Sequence, residues 1–387
     1  MIPYGRQEIT QADIDAVVEV LRSDFLTQGP AVPRFEALLA ARVGVPHAVA
    51  VNSATSALHI ACMALDLAPG DLLWTVPNTF VASANCGRYC GADVDFVDID
   101  PVSWNINVPS LYEKLLEARR KSRLPKVLVA VHFAGQPTEQ EDIWRLAREF
   151  GFRVIEDASH AIGASRNGEP VGSCRWSDIT VFSFHPVKII TSAEGGMATT
   201  RDPILAERMS LLRNHGITRD ASKFYGFEGS PPAWAYEQQQ LGYNYRMTDV
   251  HAALGASQLA RLDEYVAARN ARAQRYDKLL AALPLTLPTV LPGNLSAFHL
   301  YVVRLQTAPG LPSRRHLFDQ LREQGIGVNL HYMPVHLQPY YRDLGFTPGE
   351  YPQSERYAEE AISLPLFATM SDVQQDAVVS ALNRELS

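Results

Sequence analysis

A lysine stands at position 188 in the run DITVFSFHPVKIITSAEGG. The residues up to Ser183 and Phe184 are apolar and β-branched enough to read as a buried strand, and the chain turns irregular around His185, Pro186 and Lys188. An amine held near the end of a buried sheet loses charge through desolvation or nearby cations and becomes nucleophilic, which Schiff-base chemistry demands. Glu194, Gly195 and Gly196 then allow a tight backbone path beside a ligand. Most lysines are merely solvated, so Lys188 takes its meaning from what accompanies it.

Three other segments accompany it. EDASHA, residues 156–161, directly follows the apolar strand FRVIE. A carboxylate there, Asp157, can hydrogen-bond a protonated ring nitrogen and keep a heteroaromatic ring an electron sink; capping the following turn is the other common use of Asp at a strand end. His160 either orients Asp157, contacts the ring, or is a satisfied core histidine. NSATSAL, residues 52–58, carries a strand into a helix whose first-turn N–H groups suit an anion, with Ser53, Thr55 and Ser56 as phosphate contacts or as simple caps. In PNTFVASAN, Phe80 follows the strand LLWTV, where it can stack on a planar ring or serve as a core aromatic.

These segments need a scaffold that brings strand ends together. Short β-branched runs alternate with helical patterns over the first two thirds of the chain: HAVAVN, LLWTV, VDFVD, KVLVAVHF, FRVIE and DITVFSF. Such alternation predicts an α/β layer with a largely parallel buried sheet, in which ligands gather at the carboxyl ends of the strands. After Met247–Leu259 the pattern predicts a long helix to about Leu283, a strand FHLYVVRLQ, a helix from Ser313 to Gln324, a strand IGVNLHY and a final helix from Ser371. Two domains follow: an N-terminal arm and large ligand-binding domain over 1–255, and a long linking helix with a small α+β domain over 256–387.

The 387 residues are 47% hydrophobic and 20% charged, with a formal net charge of −7. That balance provides a large core and no general basic surface for nucleic acid; the run Arg119–Arg123 reads as a solvated helix end. No stretch reaches the ~18 apolar residues of a membrane span and MIPYGRQEIT lacks a secretory pattern, so the expected location is the cytoplasm. Cys62, Cys86, Cys90 and Cys174 form no C-x-x-C pair and read as free thiols. His331 and His336, in HYMPVH, fall on opposite faces of an extended segment, so no metal site is expected.

Taken in order, SDFLTQGP, NSATSAL, NTFVASAN, EDASHAIGA, SFHPVKIITSAEGG, LGYNYRMTD, QLARLDE and ISLPLF run nearly from end to end of the chain. They resemble the DegT/DnrJ/EryC1/StrS family of sugar aminotransferases, pyridoxal 5'-phosphate (PLP) enzymes of fold type I. The resemblance implies a mostly parallel mixed sheet between helices, with Lys188 joined to the cofactor and carrying protons, Asp157 at the ring nitrogen, Phe80 stacked on the ring, and Ala54, Thr55 and Ser183 around the phosphate. It also implies a homodimer in which Asn244 reaches the partner's phosphate. Within the family, IPYGRQ, HFAGQP and GVNLHYMPVHLQPYY resemble the transaminases of pseudaminic acid biosynthesis. That likeness implies a UDP-linked 4-keto hexose as acceptor and L-glutamate as donor. The implied sugar contacts are Tyr4, Asp24, Phe25, Leu26, Thr27, Ala54, Ser183, Asn244, Asn329, Leu330, His331 and Tyr332. The rival readings are amination at C-3, a PLP-dependent sugar dehydratase, against which Lys188 argues, and a non-catalytic nucleotide-sugar sensor on the same fold.

Overall fold

The computed structural model describes residues 1–225, 230–306 and 308–386. Seven strands, β1 (His47–Val51), β2 (Leu72–Thr75), β3 (Asp93–Phe96), β4 (Val127–Val131), β5 (Arg153–Asp157), β6 (Ile179–Ser183) and β7 (Gly196–Thr200), form one sheet in the order β1-β7-β6-β5-β4-β2-β3. The pairs β2–β3, β2–β4, β4–β5 and β5–β6 are parallel, and β7 runs antiparallel to both β1 and β6. Because side chains alternate along a strand, β4 sends Val127 and Val129 into one core and Leu128 and Ala130 into another. The first core is closed by helices Ala54–Ala64, Ala82–Tyr89 and Pro203–Leu212, the second by Val108–Arg120 and Gln140–Phe150. A sheet covered on both faces explains why its strands read as continuous apolar runs rather than alternating ones.

The six strands expected for the large domain are all present. The seventh, β7, arises from GMATT, whose small residues carry little strand propensity; it forms because it is paired on both sides and all five of its residues are buried.

Beyond the large sheet, β8 (Leu285–Thr286), β9 (Tyr301–Leu305) and β10 (Ala361–Leu364) make a three-stranded antiparallel sheet in the order β8-β9-β10. Helices Leu262–Leu280, Arg314–Glu323 and Asp372–Leu386 pack their apolar faces on it through Tyr276, Leu280, Leu317, Leu321, Val378 and Leu382. The long helix expected after Leu259 is present as Leu262–Leu280, separated at Ala260 and Arg261 from helix Asp249–Leu259, inside which residues 255 and 256 both lie. IGVNLHY is no regular strand. It makes only isolated bridges, Ile2 to Ile326 and Asn329 to Ser363; beyond Asn329 the N–H groups of Leu330 and Tyr332 go to the side chains of Asn329 and Asn78 instead of a neighbouring strand. That arm is held by Ile2 N–H on Gly325 O (2.8 Å) and Gly327 N–H on Ile2 O (2.7 Å). Arg269 is buried in the linking helix and donates to the carbonyls of Phe298, His299 and Leu366, fixing the approach to β9. Burial without a carboxylate partner pushes its guanidinium down to about 10.

Candidate active site

The carboxyl ends of β5 and β6 and the amino end of the helix after β1 converge on a cavity of about 310 Å3. Asp157, the last residue of β5, is buried there. Its Oδ2 accepts from Ser83 Oγ at 2.6 Å and its Oδ1 from the Ser159 N–H at 3.1 Å, while Thr79 Oγ1 lies 2.7 Å from Ser83 Oγ. Hydrogen bonds of this kind hold a carboxylate in one orientation.

Lys188 sits in the connection between β6 and β7, and that loop is tied to itself: Phe184 N–H donates to Gly195 O, Ser192 N–H and Thr191 Oγ1 both donate to Phe184 O, and Lys188 N–H donates to His185 O. Its backbone is fixed, while its ammonium makes no hydrogen bond or ion pair among the described residues. Burial pushes the Lys188 amine down to about 8, against the opposing pull of Asp157. The side chain keeps some accessibility through the cavity, so the amine is both poorly hydrated and reachable.

The third wall is the start of helix Ala54–Ala64. Ser53 caps it, its Oγ accepting the Ser56 N–H at 3.1 Å, and Ser56 Oγ donates to Asn52 Oδ1 at 2.7 Å. Thus Ser53 and Ser56 act as caps, which leaves the first-turn residues Ala54 and Thr55 on the cavity. Gly196, paired with Val51, passes so close that a Cβ there would lie 2.5 Å from Ala54 N and from Ser53 C. Ser183 is buried alongside, and Phe80 stands at the cavity with 57% of its surface exposed, not in the core.

The opposite rim comes from distant parts of the chain. Tyr4 arrives on the N-terminal arm, His331 and Tyr332 on the segment bridged to β10, His160 on the turn after β5, and His299 just before β9. Tyr4 and His331 rings lie 5.3 Å apart, and His331 Nδ1 is 2.8 Å from Ser363 Oγ. His160 Nε2 is 3.1 Å from the Tyr332 hydroxyl, and the rings of His160 and His299 are 4.4 Å apart. Burial and the Lys188 charge push the imidazoles down: His331 to about 3, and His160 and His299 well below the usual histidine range. Burial pushes the phenols of Tyr4 and Tyr332 up. The rim therefore offers hydrogen bonds without formal charge.

Among the residues singled out from sequence, Tyr4, Ala54, Thr55, Phe80, Asp157, His160, Ser183, Lys188, His331 and Tyr332 line this cavity. Asp24, Phe25, Leu26, Thr27, Asn244, Asn329 and Leu330 do not. The first five of these are exposed; Thr27 bridges Thr248, and Asn244 bridges Asn214. Asn329 turns its Oδ1 back onto the Leu330 N–H at 2.8 Å, and Leu330 packs on a core cluster, so local structure occupies both. His160 makes no hydrogen bond to Asp157. Ser83 does, and its signal lay in PNTFVASAN, where Thr79 and Ser83 bring two hydroxyls within 2.7 Å of each other. His299, in the run FHLY, carried no such signal; only the tertiary contact of its ring with His160 discloses it.

A buried carboxylate, an amine with its charge suppressed, an exposed aromatic and a cradle that any Cβ would fill suit a planar, phosphate-bearing heteroaromatic cofactor. The comparisons with known proteins agree. A profile of the DegT/DnrJ/EryC1/StrS aminotransferase family matches residues 7–383. The spore coat polysaccharide biosynthesis protein SpsC of Bacillus subtilis is 37% identical over 384 residues, covering 98% of this chain and 96% of that protein. Helicobacter pylori PseC, an aminotransferase involved in the biosynthesis of pseudoaminic acid, matches with a TM-score of 0.90 at 30% identity over 100% of this chain and 99% of its own. Spr1654 of Streptococcus pneumoniae matches in its PMP form with a TM-score of 0.89 at 30% identity, covering 99% of this chain and 98% of its own, and it is also solved in a PLP form.

Proposed function

The chain belongs to the DegT/DnrJ/EryC1/StrS aminotransferase family, a PLP-dependent sugar aminotransferase by class, and from that premise we propose that its acceptor is UDP-2-acetamido-2,6-dideoxy-β-L-arabino-hexos-4-ulose. In this reading L-glutamate supplies the amino group and the product is UDP-4-amino-4,6-dideoxy-N-acetyl-β-L-altrosamine, an intermediate of pseudaminic acid biosynthesis. The observation that carries it is the pairing of Lys188 and Asp157 on one floor with an uncharged hydrogen-bonding rim opposite, together with the end-to-end likeness to PseC. Hydroxyl, acetamido and keto oxygens match such a rim; a second carboxylate does not.

The bound cofactor supplies the electron sink. Lys188 would hold it and would serve as the proton carrier of the site, a task suited to an amine near neutrality. Asp157, oriented by Ser83 and the Ser159 N–H, would hold a protonated ring nitrogen. Phe80 would cover the ring, and Ala54, Thr55 and Ser183 would take the phosphate.

A shared homodimer site completes the proposal. Asn244 is exposed and away from its own chain's cavity, and Phe25 and Leu26, each about half exposed, accompany Leu241 at 74% exposure, which supports a buried counterpart in a second copy. The division into domains at 1–255 and 256–387 places Lys188 and Asp157 on the large unit and His299, His331 and Tyr332 on the small one. Among the described residues no helix is long and apolar enough to cross a membrane. A charged nucleotide sugar cannot cross a bilayer unaided, which supports a cytoplasmic location.

The relation to SpsC favours a second reading, another nucleotide-linked keto hexose used in polysaccharide assembly. The test is a panel of UDP- and dTDP-keto sugars with glutamate, read by kcat/KM and NMR of the amino product. Preference for the D-xylo 5-epimer, or nitrogen at C-3, overturns the proposed acceptor and favours the second reading.

A further inference from the structure

The described residues give the Tyr332 hydroxyl one hydrogen-bond partner, His160 Nε2 at 3.1 Å. The direction of that bond is set on the far side of the imidazole. Ala134 N–H points at His160 Nδ1 at 3.3 Å, so Nδ1 must present a lone pair and the single proton of the neutral ring must sit on Nε2. His160 then donates to Tyr332, and the phenol's own proton is released from that bond.

The backbone holds this arrangement in place. Ala134 adopts a left-handed φ of 56°, a strained choice for a residue with a side chain, and Gly135 follows at 101°. The turn is braced by Ala297 N–H on Gly135 O (3.0 Å) and by Leu300 N–H on Ala134 O (3.3 Å), and a Cβ at Gly135 would lie 2.9 Å from His160 O. The same 297–300 segment carries His299, whose ring backs His160 at 4.4 Å. Protonation of His160 is opposed by burial and by the charge of Lys188, so the single-proton state persists.

We propose that His160 is a positioning residue that locks Tyr332 as a one-way hydrogen-bond donor toward an uncharged oxygen, hydroxyl or carbonyl, of the bound sugar. The inference rests on the sugar-aminotransferase reading and goes beyond it by assigning His160 to the sugar side of the cavity, acting through Tyr332 rather than on Asp157.

The wild-type tautomer is read directly by 15N NMR of histidine-labelled holoenzyme at pH 7.5, with the His160 signal identified by its loss in His160→Gln. A neutral Nε2–H form is expected; an Nδ1–H form or an imidazolium overturns the proposal. A double-mutant cycle tests the consequence, using whichever keto sugar the wild type turns over and its amino-sugar product as a calorimetric ligand. Tyr332→Phe is expected to raise KM for the sugar and weaken product binding by about 2- to 13-fold, the range for one neutral hydrogen bond. His160→Leu should lower affinity in the same direction, and adding it to Tyr332→Phe should cost no more. His160→Gln can accept from Ala134 and donate to Tyr332, so affinity should return to within about twofold of wild type. Additive losses, or losses confined to kcat, overturn it. Failure of the wild type on every keto sugar would instead count against the sugar reading, and the tautomer would still be read.

Discussion

The floor and the rim of the cavity are built in opposite ways. The floor is made by consecutive strand ends of one sheet: Asp157 closes β5, Ser183 closes β6, Lys188 follows in a self-tied loop, and Gly196 opens β7. Its charged side chains are Asp157, Lys188 with its suppressed ammonium, and Glu194 in the same loop. The rim collects Tyr4, His160, His299, His331 and Tyr332 from the two ends of the chain and its middle, and each is held neutral by burial. Covalent and proton-transfer chemistry needs charge fixed to within fractions of an ångström, which a sheet edge provides. Sugar recognition needs several modest hydrogen bonds whose identities can change between relatives, which a rim on separate segments allows.

The comparison is most open to attack at Lys188. Replacement by Ala should reduce transamination by about 10⁴-fold or more, since Schiff-base nitrogen and proton carrier leave together. Borohydride reduction of the wild type followed by peptide mapping should place the cofactor on residue 188; a label on another lysine removes the floor as described.

A second test asks whether one chain holds the whole site. Lys188→Ala and Asn244→Ala chains, each nearly inactive, should regain up to about a quarter of wild-type activity when mixed, because half the dimers are hybrids holding one intact site. No recovery in verified hybrids would make the site self-contained.

The cradle at the phosphate end is tested by Gly196→Val, whose added carbons meet Ala54 and Ser53. Cofactor affinity, followed by equilibrium dialysis, should fall roughly 5- to 150-fold, as overpacking by about 1–3 kcal/mol implies. Unchanged affinity would move the phosphate elsewhere.

The smallest effect concerns stability. In the apoprotein the Lys188 amine titrates near 8 rather than 10.5, so the folded state carries an unfavourable charge below pH 8 and sheds it before the unfolded chain does. Stability attributable to this residue should rise between pH 8 and 10.5. Lys188→Met should therefore be more stable than wild type by about 1–2 kcal/mol at pH 7, read from urea midpoints, with the gap closing toward pH 10.5. A gap independent of pH would show that packing, not charge, is responsible.

The segments that make the floor could be read in the chain because each is short and continuous, a strand pattern followed by the reactive residue. Phe80, Asp157 and Lys188 were found this way, and the structure brings them to one cavity. The strand GMATT escaped notice because pairing on both edges, not the propensity of its residues, makes it a strand. His299 and Ser83 escaped for a related reason: their meaning lies in a ring 4.4 Å away and a carboxylate 2.6 Å away, contacts between residues 139 and 74 positions apart.

By itself the sequence determined the α/β class, the strand ends and the residue types that do chemistry there, because desolvation at the end of a buried strand is a local consequence of hydrophobic pattern. Only the tertiary structure decided which of those residues share one space, which way His160 faces, and that Asn329 and Leu330 are committed to local contacts while His331 and Tyr332 reach the cavity. Those choices depend on a backbone turn at Ala134, a bridge at Ser363 and an arm pinned by Gly325 and Gly327, each a hydrogen bond between segments that no local pattern relates.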